Sequence, residues 1–115
     1  MSRRNTGFPD AVRQVIVARS AGRCEKCGEA WAEAHHHRRP RGAGGSRRAD
    51  TNTPVNALAL DNRCHEWIES HRTEALENGW LVRQSASPAD VPVLYRGRMA
   101  WLRDDGGVEY LEEVA

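Results

Sequence analysis

Apolar residues recur at helical spacing over residues 9–20, where Val12, Val15 and Ile16 follow Pro9 and Gly22 ends the run. Residues 30–39 read as a short strand running into Pro40, and Ala57-Leu58-Ala59-Leu60 is an apolar run of strand length. A second helix is expected over 62–77, with Trp67, Ile68, Ala75 and Leu76 near one face and Asn78-Gly79 closing it as a left-handed cap. After Gly79 the pattern shifts to strands. Residues 91–95 and 98–102, joined by Arg96-Gly97, predict a β-hairpin, and 108–111 a third short strand after the turn at Asp105-Gly106-Gly107. The expected class is α+β. Residues 1–8 are read as a flexible N-terminus, 9–80 as the main domain, and 81–115 as a β extension that either completes the core or holds a partner.

Composition narrows the class. At 115 residues the chain is one domain's worth of protein. With 39% hydrophobic and 29% charged residues it is too apolar for a disordered tail. It is also too broken by charge for a membrane span, having no 18-residue apolar run. No apolar stretch follows Arg3-Arg4, so a secretory leader is not expected. The three cysteines include Cys24 and Cys27 in one short loop, which points to a reduced, cytoplasmic protein that uses its thiols on metal.

The net charge of +1 conceals an uneven distribution. Residues 34–49 carry Arg38, Arg39, Arg41, Arg47 and Arg48 with three histidines and no carboxylate, whereas 104–113 carry five carboxylates and no base. A basic stretch in a nearly neutral chain suggests a defined anion-binding patch, and these five arginines are the candidate contacts to phosphates.

Two groups of residues carry candidate chemistry. Cys24-x2-Cys27-Gly28 has the shape of a metal knuckle, and Cys64 offers a third thiolate. Four ligands are the rule for a closed structural zinc site. The position that would complete a second knuckle is Asp61, which is either the fourth ligand or the N-cap of the following helix. The five histidines lie in two places: His35-His36-His37 at the end of the first strand, and His65 and His71 on the helix, with Glu69 one turn beyond His65. If Cys64 is pinned to the knuckle, His65 is projected toward the histidine strand.

The ordered set Cys24-x2-Cys27, His36-His37-Arg38-Arg39-Pro40-Arg41-Gly42, Gly44-Gly45, Pro54-Val55-Asn56-Ala57-Leu58 and Cys64-His65-Glu66-Trp67-Ile68-Glu69-Ser70-His71 resembles the HNH endonucleases. It is similar in particular to the small HNH proteins of actinobacterial phages. The resemblance spans about residues 9–79. It implies a ββα-metal (His-Me finger) core buttressed by a structural zinc, and metal-dependent hydrolysis of DNA phosphodiester bonds.

The roles implied are His37 as general base and Asn56 as the residue that ties down the loop and helps orient it. His36 and His65 would hold one catalytic divalent cation (Mg²⁺, Mn²⁺, Ni²⁺ or Zn²⁺), with Glu69 or His71 as the candidate third ligand. A register shifted to His35/His36 is the minor alternative. Asp61 departs from the family pattern, which has cysteine there. DNA is the implied partner, and phage packaging proteins follow by analogy. The competing reading is a non-catalytic, zinc-stabilised nucleic-acid-binding or adaptor module.

The chemistry agrees with these residue types. A neutral imidazole can take a proton from water near neutral pH, and a hard divalent cation can absorb the charge that grows on a phosphate during displacement.

Overall fold

The computed structural model describes residues 7–42 and 48–111. In chain order the elements are α1 (Asp10–Ser20), β1 (Ala34–His37), β2 (Ala57–Leu60), α2 (Asn62–Ser70), α3 (Arg72–Glu77), β3 (Val93–Tyr95), β4 (Arg98–Leu102) and β5 (Val108–Tyr110). Single 3-10 turns form at Pro54–Asn56 and Pro88–Asp90. The architecture is compact α+β, as the patterning predicts. No helix among the described residues is long and apolar enough to cross a membrane.

The centre is the antiparallel pair β1–β2, in which His36 faces Leu58 and His37 faces Ala57. Alternation along β2 explains how the layers stack. Leu58 and Leu60 enter the larger core with Val55, Ile68, Ala75, Leu81 and Val93. Ala57 and Ala59 point the other way and meet Phe8 and Ile16. Small side chains on that face allow α1 to approach the hairpin closely.

The helix expected over 62–77 is interrupted. The Ser70 hydroxyl bonds back to the carbonyls of Glu66 and Trp67, each at 3.1 Å, and His71 leaves helical geometry at φ −129°, ψ 57°. Serine competing for backbone carbonyls is a recognised way to bend a helix, and the apolar positions still share one buried side across the break. Gly79 then turns the chain with φ 75°, where an added Cβ would lie 2.0 Å from the Pro92 carbonyl oxygen. No other residue fits there.

The β extension completes the core. Val93, Tyr95, Ala100 and Leu102 are buried in the same cluster as Leu58 and Ile68, and β3-β4-β5 form their own antiparallel sheet. Arg96 takes a positive φ of 49° in the β3–β4 turn. Its guanidinium donates to the carbonyls of Ser20 (2.7 Å), Cys24 (3.2 Å) and Arg23 (3.1 Å). The extension therefore braces the loop that carries the first two cysteines.

The predicted flexible N-terminus needs correction at its end. Residues 1–6 lie outside the described residues, but Phe8 is buried and stacks on the His37 ring with centroids 4.0 Å apart.

Candidate metal centres

The first centre is built by the cysteine loop and the start of α2. A backbone bond from Cys24 to Ala30 (2.8 Å) and one from Gly28 to Cys24 (2.9 Å) close the loop, and the bridge between Arg23 and Trp31 shuts its base. The turn places Gly28 at φ 74° beside the Arg96 side chain. Between the cysteines, Glu25 is wholly buried. It accepts from Arg19 Nε (2.7 Å) and Nη2 (2.8 Å), from the Tyr95 hydroxyl (2.6 Å) and from the Ala59 amide (2.8 Å). The loop is thereby tied to α1, β2 and β3 together.

The thiols of Cys24, Cys27 and Cys64 and a carboxylate oxygen of Asp61 lie within 4.8 Å of one another, an arrangement that can hold a metal ion. Asp61 occupies the N-cap position of α2, yet its carboxylate makes no capping hydrogen bond. It turns instead to the thiols, with Oδ1 3.9 Å from Cys27 Sγ. Of the two roles open from sequence, the geometry favours membership of the cluster. Burial pushes the Cys24 and Cys64 thiols up, and hydrogen bonding to Cys64 holds the Asp61 carboxyl below its ordinary value. A bound cation would offset the cost of desolvating the thiolates. Four donors of this kind suit a closed tetrahedral site.

The second centre starts one residue later. His65 follows Cys64 on α2, and ligand atoms of His36, His65 and Glu69 lie within 4.8 Å of one another. The His36 and His65 rings meet edge to face at 5.3 Å. His36 Nε2 donates to the Trp80 carbonyl oxygen at 2.9 Å; because a carbonyl only accepts, the proton sits on Nε2 and Nδ1 carries the lone pair. Burial lowers the His36 pKa to about 4, so the ring is neutral near pH 7 and able to ligate. His71 does not join this group. Its ring stacks on Trp67 at 4.2 Å and its Nδ1 lies 2.9 Å from the Trp67 carbonyl. Between the two candidates for third ligand, the structure places Glu69 in the cluster.

A polar cleft of about 290 Å³ is lined by His35, His36, His37, Pro40, Arg41, Gly42, His65 and Glu69. His37 is half-buried, and burial lowers its pKa against the opposing effect of a hydrogen bond to Asn52. It too is neutral near pH 7.

Asn56 is fully buried, and its amide is engaged wholly by backbone. Oδ1 accepts from the Arg39 amide (2.7 Å), while Nδ2 donates to the carbonyls of Thr51 (2.8 Å) and Arg39 (3.2 Å). These bonds join the turn at Thr51 to the backbone of Arg39, and no hydrogen bond runs from Asn56 to the His37 ring. The residue bonded to that ring is Asn52, which sequence reasoning passed over because a lone loop asparagine carries no spacing signal.

The arginine patch divides. Arg38 is completely buried and donates to four carbonyls: Gly79 (2.8 Å), Val55 (2.7 Å), Pro88 (3.2 Å) and Val91 (2.7 Å). Arg39 is 3% exposed, pairs with Asp50 and donates to the Ala86 carbonyl. Neither is available to a phosphate, so their assignment as DNA contacts is corrected. The irregular segment 79–91 has no strand partners for its carbonyls, and Arg38 supplies donors where a sheet would have done so. Arg41 lines the cleft and Arg48 is exposed, donating to the Gln84 carbonyl at 2.6 Å. Arg47 lies outside the described residues.

Comparison of the chain with family models, curated proteins and solved structures found no match.

Proposed function

We propose that this protein is a metal-dependent endonuclease of the HNH kind that hydrolyses DNA phosphodiester bonds. Its core would be a ββα-metal unit formed by β1, β2 and α2. The observation that carries the reading is the convergence of His36, His65 and Glu69 on one point of a cleft that His37 also lines. A coherent set of two imidazoles and a carboxylate suits a hard or borderline divalent cation with open coordination positions. Such a cation, when bound, neutralises charge on the scissile phosphate and its leaving oxygen.

The chain's own residues do the rest. His37 takes a proton from a water whose oxygen attacks phosphorus; the bond from phosphorus to the leaving oxygen breaks, its electron pair stays on that oxygen, and the oxygen then takes a proton from solvent. Its neutral state at pH 7 suits it to that role. Arg41, at the lip of the cleft, and Arg48, with Arg47 in the same stretch, are the basic side chains proposed to hold phosphates on either side of the cut. Cys24, Cys27, Cys64 and Asp61 are proposed to hold a structural zinc.

The reading is tested by incubating supercoiled plasmid with the full chain and Mg²⁺, Mn²⁺, Ni²⁺ or EDTA. Relaxed circles that appear with a cation and vanish with EDTA support it. DNA binding without cleavage under every cation would instead indicate a zinc-stabilised binding module.

A further inference from the structure

The contact between Asn52 and His37 singles out a second asparagine. We infer that Asn52 is the positioning residue of the proposed general base, fixing which ring nitrogen of His37 carries the proton and where the other one points. The inference rests on the nuclease reading for its consequence, though not for its geometry. Asn52 Oδ1 lies 2.7 Å from His37 Nε2. An amide oxygen only accepts, so Nε2 is the protonated nitrogen and Nδ1 is left with the lone pair. The opposite constraint comes from Phe8, whose ring lies 4.0 Å from that of His37 at 14° to it. The phenyl face limits rotation about the ring plane, and the amide limits rotation within it.

The two asparagines divide the work. Asn56 holds the Thr51 carbonyl at 2.8 Å, and Thr51 is the residue immediately before Asn52. Thr53 anchors the other side, its hydroxyl donating to the Asp50 carbonyl at 2.8 Å. Asn52 is therefore presented from a stapled turn, and the buried Asn56 amide, which also holds the Arg39 backbone just beyond His37, makes no contact with the imidazole itself. An imidazole used as a base needs its lone pair aimed at the attacking water; partners that orient metal-bound imidazoles matter about 10–100-fold when removed, and an effect of the same order is expected here.

The test pairs spectroscopy with kinetics on the full chain at pH 8. In the wild-type protein the His37 imidazole should show a hydrogen-bonded N–H resonance assigned to Nε2. Asn52→Leu should lose that resonance and lower kcat about 10- to 100-fold at unchanged KM for plasmid. Asn52→Asp keeps an acceptor oxygen in place and should restore both the resonance and most of the rate. A wild-type ring protonated at Nδ1 overturns the inference, and so does an Asn52→Leu variant that retains the Nε2 proton and the wild-type kcat. A wild-type chain that cleaves under no cation would remove the nuclease reading. The N–H resonance would still decide whether Asn52 holds the ring.

Discussion

Cys64 and His65 are consecutive residues of α2 that belong to different clusters, the first facing Cys24, Cys27 and Asp61 and the second facing His36 and Glu69. A single turn of helix thus transmits the position of one centre to the other. The N-terminal end of α2 is anchored by the cysteine cluster, so removing an ion from that cluster should loosen the placement of His65 as well as the fold. Cys24→Ser should reduce bound zinc from one equivalent to a small fraction and lower Tm markedly, since metal binding in small domains is folding energy. Elemental analysis with thermal unfolding checks this. A folded, zinc-free preparation with wild-type Tm would contradict it.

Arg38 predicts a change in stability without a change in DNA affinity. Each buried acceptor left without a partner costs about 1–3 kcal/mol, and the carbonyls of Gly79, Val55 and Val91 lose the donor that Arg38 supplies, while that of Pro88 keeps the Val91 amide. Arg38→Met should shift the urea midpoint accordingly while the fraction that remains folded binds DNA as the wild type does. A wild-type midpoint paired with weakened binding would return Arg38 to the phosphate-contact role.

Salt dependence should be shallower than five free arginines would give. With Arg38 and Arg39 buried, about three of the basic side chains remain for phosphates, and a slope near −0.9 per contact gives roughly −3 for log K against log salt. Arg41→Ala should reduce the slope by about one. A slope of −4 to −5, unchanged in that variant, would mean that the contacts lie elsewhere.

Acid should destabilise the fold through His36. Its folded pKa of about 4 lies below the ordinary 6.5 of the unfolded chain, so the unfolded state binds the proton first as pH falls. The contribution is complete above pH 6.5 and is lost on the way down to pH 4, amounting to about 3 kcal/mol from one group. Urea midpoints from pH 7.5 to 4.5 should fall more steeply for the wild type than for His36→Gln. Parallel curves would assign the acid sensitivity to other groups.

How far the sequence could be read depended on whether a role was local. The β2 run shows its strand length directly, and its Leu/Ala alternation matches the two layers it separates. The cysteine loop was legible from ligand spacing, and the helix that starts at 62 from the one-sided spacing of Trp67, Ile68, Ala75 and Leu76, though its break at His71 was not. Arg38 and Arg39 misled for the converse reason. Beside histidines and glycines they look like a phosphate patch, and only the path of residues 79–91 shows that carbonyls lacking strand partners surround them. Glu25 gave no hint of its burial, since its partners Arg19, Ala59 and Tyr95 come from three separate elements. The choice of Glu69 over His71 was likewise invisible, because it turns on where α2 ends and on the stacking of His71 against Trp67.

The most direct measurement is the rate at which His37→Ala nicks supercoiled plasmid, beside the wild type, in saturating Mn²⁺ and Mg²⁺. Loss of a general base predicts a fall of about 10²–10⁴-fold, with plasmid affinity and Tm close to wild type. Wild-type nicking by that variant would contradict the assignment of His37 and, with it, the proposed chemistry of the cleft.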